Sequence, residues 1–318
     1  MDTNIPLRVQ RIHDIALGVK LFDLVHVDGV ALTPFEAGAH IEVRLPNHLS
    51  RSYSLLNAPG EQHQYQIAVH NSPDSAGGSH YMHESLQEGD VLLASLPRNN
   101  FRLNESSGYS CLVAGGIGIT PLLAMMHRLN ALGQHWELHY CARTAAHAAF
   151  VDEVRILAAT SGNAAYFYFD QEPGGQALDL AALGRSVSTN VHLYCCGPRG
   201  MLDAFEQATA HCRDRAHVEY FTAKSEAALD GGFTLELARS GMTLQVPAGC
   251  SILDIVFDAG VSVPSSCREG ICGSCETRIL AGKADHRDAL LSDAERSANK
   301  SMMICCSGAK SDRLVLDL

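Results

Sequence analysis

Three cysteines fall within nine residues, 267–275 (CREGICGSC), and two adjacent ones follow at Cys305 and Cys306 in MICCSG. No other stretch constrains the fold so tightly, because a loop that gathers thiolates must close around whatever they hold. With Cys305 as the last member the spacing is C-x4-C-x2-C-x29-C, that of a loop enclosing a 2Fe–2S cluster. Each iron takes two thiolates, so three ligands close in sequence need a loop that wraps the cluster and a distant fourth. Gly270 and Gly273 leave room for backbone N–H groups to approach the bridging sulfides. A structural zinc site usually brings two close ligand pairs, and here only Cys272 and Cys275 form one. Cys267, Cys272, Cys275 and one of the last two cysteines are the expected metal ligands. Neighbouring side chains alternate on an extended segment, so Cys305 and Cys306 cannot both point inward. Spacing alone leaves open which of them does.

The chain has 318 residues, enough for two or three domains, with 46% hydrophobic and 19% charged residues. That is a globular composition. A net charge of −11 argues against nucleic acid or an anionic membrane as the main partner, since both want clustered Lys and Arg. The first residues, MDTNIPLRVQ, lack the basic start and apolar run of a signal peptide. The most apolar stretch, residues 111–126, is too short to span a bilayer and carries three glycines and a proline. A cytoplasmic, monomeric protein is expected, with its eleven cysteines reduced. Cys111, Cys141, Cys195, Cys196, Cys212 and Cys250 lie among apolar neighbours and read mostly as small packed hydrophobes.

Residues 1–104 carry short strand candidates (KLFDLVHV, HIEVRLP, RSYSLL, YQIAVH, VLLASLP) and suggest a small antiparallel β-barrel. From 105 to 222 strands alternate with helices, from SCLVAG and LLAMMHRLNAL to a last strand HVEYF, which predicts an α/β, doubly wound parallel sheet. TAKSEAALDGG has no apolar period, and residues 223–231 read as a linker. Residues 232–318 open on a hairpin, FTLELARSGMTLQV, followed by a short helix, the cysteine loop and a final strand.

Two further signals lie upstream. Arg51, Tyr53 and Ser54 in RSYS offer a cation, a flat aromatic and a hydroxyl, the set a flavin needs. Gly78 and Ser79 stand at a helix start, where backbone N–H groups and the dipole attract phosphate. In the α/β region, Gly115, Gly116, Gly118 and Thr120 of AGGIGITP follow a strand and open a helix, although the loop lacks the G-x-G-x-x-G fingerprint. Cys196, Gly197 and Pro198 end a later strand on the same edge. Asp170 ends YFYFD with no Lys or Arg in YFYFDQEPGG to meet a 2′-phosphate, which favours NADH over NADPH.

RSYS, GGIGITP, CCGP and the cysteine loop, in this order and over essentially the whole chain, resemble the phthalate dioxygenase reductase family. The resemblance implies an FMN barrel, an NAD-binding domain and a C-terminal plant-type 2Fe–2S ferredoxin domain of β-grasp type. It implies that Arg51, Tyr53, Ser54, Gly78 and Ser79 hold FMN, and that Gly116 and Thr120 line the nicotinamide side. Cys196 would sit near the hydride-transfer position and Phe221 against the flavin, with Ser54 at its reactive edge. It also makes Cys305 the fourth ligand and Cys306 its variable neighbour. Gly308 stands where the family often has Arg, a departure expected to touch only the domain surface. The implied function is that of a reductase component passing electrons from NADH through FMN and the cluster to a Rieske-type non-haem iron oxygenase. The alternatives are a stand-alone flavin reductase, a reductase for another one-electron acceptor, and a zinc-stabilised binding protein.

Overall fold

The computed structural model describes residues 4–46, 49–73, 75 and 77–318. The chain divides into two compact units, Met1–Glu219 and Tyr220–Leu318.

The first unit begins with β1 (Asn4–Ala16), β2 (Val19–His26), β3 (Ala39–Arg44), β4 (Ser50–Ser54), β5 (Tyr65–His70), α1 (Gly78–Glu84), β6 (Val91–Ser95) and β7 (Arg98–Asn99). The strands pair antiparallel in the order β4-β3-β6-β1-β2-β5, with β7 beside β3. A bond from Leu56 N to Gln66 O (3.1 Å) ties the end of β4 to β5, and the sheet curls into a barrel. Leu7, Val9, Phe22, Leu24, Ile41, Val43 and Ile67 alternate inward and fill it. β1, the longest strand, is absent from the sequence-predicted set, because Pro6 and a run of charged residues interrupt its alternation.

β8 (Tyr109–Gly115), α2 (Ile119–Ala131), β9 (His135–Ala142), α3 (Val151–Ser161), β10 (Ala164–Phe169), α4 (Leu180–Ser186), β11 (Val191–Cys196), α5 (Arg199–Ala208) and β12 (Ala216–Glu219) follow. All five strands are parallel, in the order β10-β9-β8-β11-β12. The order reverses between β8 and β11, so the loops after these two strands open the crevice where ligands bind in such sheets. α2 buries Ile119 to Met126 without a gap, which is why its sequence reads as one apolar block. HVEYF ends as a strand at Glu219, and α4, too short for a clear period, supplies the crossover from β10 to β11.

The second unit contains β13 (Phe233–Leu237), β14 (Met242–Val246), α6 (Ile252–Asp258), β15 (Glu276–Ala281), β16 (Ala284–Asp285), α7 (Asp293–Ala298), β17 (Ser301–Met303), β18 (Gly308–Ala309) and β19 (Arg313–Leu316). Its mixed sheet runs β14-β13-β19-β15-β17, with β13 parallel to β19, and α6 buries Ile252, Leu253 and Val256 in its core in a β-grasp arrangement. Residues 222–231 carry no helix or strand, yet they are packed. Ala228 N bonds Cys306 O (2.8 Å) and Ser225 Oγ donates to Arg287 O (2.7 Å). Gly308 is buried, and a Cβ there would lie 3.0 Å from Ala228 Cβ. The departure at this position is therefore an internal contact, where a side chain would require the segment at Ala228 to shift, and not only a change of surface.

Candidate functional site

On the barrel, Arg51 and Tyr53 of β4 stand two residues apart and share a face. Burial pushes the Tyr53 phenol pKa up, and its ring packs against the barrel core. Arg51 donates from Nη1 to Ser50 O (2.8 Å) and lays its stem over the start of α1, so that a Cβ on Gly78 would meet Arg51 Cγ and Nε at 2.9 Å. Gly78 is thus required by the close approach of a cation to the chain. Ser75 Oγ accepts from Gly77 N (3.1 Å) and Ser79 N (3.3 Å), and Ser79 Oγ accepts from Ser72 N (3.3 Å). These groups, expected to be free for phosphate, are engaged within the 72–79 turn. Ser52, which carried no expectation, has a buried hydroxyl with no hydrogen-bond partner. Arg51 and Tyr53 on one face of β4, with the cation held across Gly78, fit a flavin phosphate and ring, whereas Ser52 points to the other face of the strand.

Ser54 is buried and hydrogen-bonds Glu219 at the end of β12. Glu219 in turn receives the Cys196 thiol at 4.0 Å. Barrel and parallel sheet thus meet in a line of three polar side chains, Ser54, Glu219 and Cys196, at the C-terminal edge of the sheet. Glu219 was not legible as a site residue, although its signal was present: an acid on the last residue of a strand paired with the CCGP strand. Burial raises its pKa from 4.5 to about 8, opposed by the Ser54 hydrogen bond. Between these values the folded protein holds one proton more than the unfolded chain. Stability is expected to fall by about 1.4 kcal/mol per pH unit across that window. Thermal unfolding from pH 5 to 8.5 checks this: Glu219→Gln should remove the slope, and an unchanged slope would assign it elsewhere.

The nucleotide loops are pressed together. A Cβ on Gly118 would lie 2.1 Å from Cys196 O, and one on Gly115 2.6 Å from Pro198 Cδ. Gly197 has Gly115 Cα within 3.0 Å of the same construction. These glycines let one loop seat on the other. Gly116, at φ 54° with open space above it, is the glycine free to face a ligand, and Tyr140 OH pins its carbonyl (3.2 Å). Thr120 is buried and its hydroxyl turns back to Ile117 O (3.0 Å). Asp170 is exposed and lines a 210 Å³ cleft with Cys141, Tyr168, Ala177, Leu178, Leu180 and Met201, at the C-terminal ends of β9 and β10. No cation lines it. Phe221 is 38% exposed and falls in the second unit.

In that second unit the thiols of Cys267, Cys272 and Cys305 are hydrogen-bonded to one another through Cys267. Glu269 N also donates to Cys267 Sγ (3.3 Å), and Cys275, at the end of the same loop, is buried. Backbone N–H groups aimed at sulfur, and Cys267 in contact with both Cys272 and Cys305, fit a cluster held by four thiolates with Cys275 as the fourth. Arg268, Gly270 and Gly273 all have positive φ, which curls the loop. Gly270 serves a purpose other than the expected one. A Cβ there would lie 2.5 Å from Cys306 Sγ and 3.0 Å from Asp288 Cα, so the glycine seats the loop on these two residues. Residues 304–306 form a turn, with Cys306 N and Ser307 N both bonded to Met303 O (3.3 and 3.0 Å). Alternation along an extended segment is therefore not what separates the two cysteines. The Cys305 thiol contacts both Cys267 and Cys306, whereas the Cys306 thiol contacts Cys305 and Met303 O (3.7 Å) and, among the described residues, none of the three cysteines of the 267–275 loop.

A family model of the 2Fe-2S iron-sulfur cluster binding domain matches residues 235–310, and one of the oxidoreductase NAD-binding domain matches residues 112–207. The chain is 50% identical over 312 residues to the phenoxybenzoate dioxygenase subunit beta of Ectopseudomonas oleovorans, covering 97% of this chain and 96% of that one. It is 43% identical to the tetrachlorobenzoquinone reductase of Sphingobium chlorophenolicum, over 99% and 98% of the two chains. The solved structure of phthalate dioxygenase reductase, described as modular for electron transfer from pyridine nucleotides to 2Fe-2S, matches with a TM-score of 0.73. It is 38% identical and the match covers 100% of this chain and 98% of that one. Whole-length similarity of this degree means that the chain belongs to the phthalate dioxygenase reductase family.

Proposed function

We propose that this chain is the reductase component of a multicomponent Rieske-type oxygenase, taking electrons from NADH and delivering them singly through FMN and a 2Fe–2S cluster. The observation that carries this reading is the coexistence in one chain of the Ser54–Glu219–Cys196 line at a nucleotide edge and a separate loop of gathered thiols. A flavin and a cluster together supply the conversion of a two-electron hydride donor into one-electron output. The protein's own task is placement. Arg51 meets the phosphate and Tyr53 the ring, Ser54 and Glu219 hold the reactive edge, and Gly116 leaves room for the nicotinamide. Glu219, neutral below about pH 8, keeps the edge free of a buried negative charge. Cys267, Cys272, Cys275 and Cys305 ligate the cluster. We assign the flavin to residues 1–104, the nucleotide to 105–222 and the cluster to 232–318, with 223–231 as connector.

Asp170 and a cleft without cations suit the unphosphorylated ribose of NADH. kcat/KM for NADH is expected to exceed that for NADPH at least tenfold, about 1.4 kcal/mol of discrimination; comparable values would refute the preference. The electron path is tested by Cys272→Ser. Cytochrome c reduction should be lost while NADH-to-dye activity stays. Equal retention of both would remove the cluster from the output. The quinone reductase among the relatives favours a second reading, in which another acceptor replaces the oxygenase. Electron delivery to a co-purified oxygenase, compared with delivery to quinones, separates the two.

A further inference from the structure

β8 and β9 bury Leu112, Ala114, Trp136, Leu138 and Tyr140 in the core they share with α2 and α3. The residues that alternate with these point to the opposite face of the sheet. There Cys111 lies directly across from Glu137, and His139 follows two residues on along β9. We propose that Cys111, Glu137 and His139 form a binding site for a zinc-class divalent cation, separate from the cluster loop and the nucleotide edge. One ligand atom from each, the Cys111 Sγ, a Glu137 carboxylate oxygen and a His139 ring nitrogen, all lie within 4.8 Å of one another.

The site is built beyond this convergence. His139 is 8% exposed, and its Nε2 is buried with no hydrogen-bond partner, 3.7 Å from Glu137 Oε1. An orphaned buried ring nitrogen is costly unless something binds it. The other nitrogen, Nδ1, is fixed by Tyr168 OH at 3.0 Å, and the ring stacks against Tyr166 and Tyr168 of the neighbouring strand. Ligating histidines are oriented in this way, through the nitrogen that does not face the metal. Tyr109 OH likewise donates to Glu137 Oε2 at 3.2 Å, leaving Oε1 toward His139.

A soft thiolate, an imidazole and a carboxylate are a zinc-type donor set, with bonds of about 2.0–2.3 Å that require only a small closing of the three side chains. Burial raises the Cys111 thiol pKa well above its ordinary value, so binding displaces its proton to solvent as the sulfur–metal bond forms. Entry is from the Glu137 side, where that side chain is 24% exposed. Three protein ligands leave the fourth position to water. Cys111 precedes Gly115 by four residues, about 13 Å along the strand, which separates the site from the nucleotide loops. A bound ion would tie β8 to β9.

The test uses the cluster-loaded flavoprotein, washed with chelator, dialysed against zinc chloride and analysed for zinc and iron by mass spectrometry. The expected result is one zinc per chain beside the iron of one 2Fe–2S cluster, with a zinc absorption edge fitted by one sulfur and lighter donors. Cys111→Ser and His139→Gln should each weaken zinc binding at least about tenfold. Glu137→Gln, at a partly exposed position, does the same without disturbing the core if the buried variants fail to fold. Zinc no higher than the chelator-washed baseline overturns the proposal. So does zinc binding left unchanged by the substitutions in variants that keep their flavin and iron.

Discussion

Cys305→Ser is expected to yield a protein without the 2Fe–2S chromophore, whereas Cys306→Ser should keep iron and sulfide at the wild-type ratio. The two residues are neighbours and both are buried, so burial does not distinguish them. Direction does. The Cys305 thiol meets Cys267, while the Cys306 thiol lies over Gly270 and against Met303 O and reaches the loop thiols only through Cys305. Removing one of four thiolates leaves an iron short of a ligand, and because the metal contributes folding energy the loop loses order with it. Replacing Cys306 by the smaller, more polar Ser leaves a modest packing defect over Gly270, about 1–2 kcal/mol. Iron content and the visible spectrum of the two purified variants decide the matter. Retention of the cluster in Cys305→Ser, with its loss in Cys306→Ser, would reverse the assignment.

Gly118→Ala should be strongly disruptive for a single-atom change, and the most disruptive within the nucleotide loops. Its Cβ would fall 2.1 Å from the carbonyl oxygen of Cys196 and 2.4 Å from the carbonyl carbon, and both are backbone atoms of a buried strand end. Neither can rotate away, so the loop after β8 has to lift from the loop after β11. The expected cost is about 3 kcal/mol, read as a fall in melting temperature of roughly 10 °C, together with a raised KM for NADH. Gly116→Ala is the control. It meets no atom within 4 Å but carries φ 54°, so only the left-handed backbone is penalised, by about 1 kcal/mol. Equal effects from the two would show that loop contact is not what Gly118 provides.

The parts of the molecule legible in the sequence were those whose causes are local. Thiol spacing, the alternation of β8, β9 and β11 with α2 and α5, and the Ser-Gly hairpin between β13 and β14 each depend on residues within one or two turns of chain. What was not legible depends on residues far apart. Glu219 becomes a site residue only because the barrel brings Ser54 to the end of β12, and its place as an acid at a strand end does not by itself fix that meeting. Ser52 reads as the unremarked second residue of RSYS until its hydroxyl is found buried without a partner. The glycines of GGIG looked like a phosphate loop by composition, yet two of them serve the contact with Cys196 and Pro198. Gly270 likewise answers to Cys306, thirty-six residues away, and not only to the cluster. β15 and β17 were missed because their short alternations follow directly on the irregular cysteine loop and α7, where no turn signal marks a boundary.

Reducing equivalents from NADH are expected to reach the cluster of the same chain. The most direct measurement is anaerobic addition of NADH to the purified holoprotein, followed by visible absorbance and electron paramagnetic resonance. The account predicts bleaching of both the flavin and the iron–sulfur bands and a resonance of the reduced cluster integrating to about one spin per 2Fe–2S centre. Bleaching of the flavin alone, with the cluster remaining oxidised and silent, would contradict it.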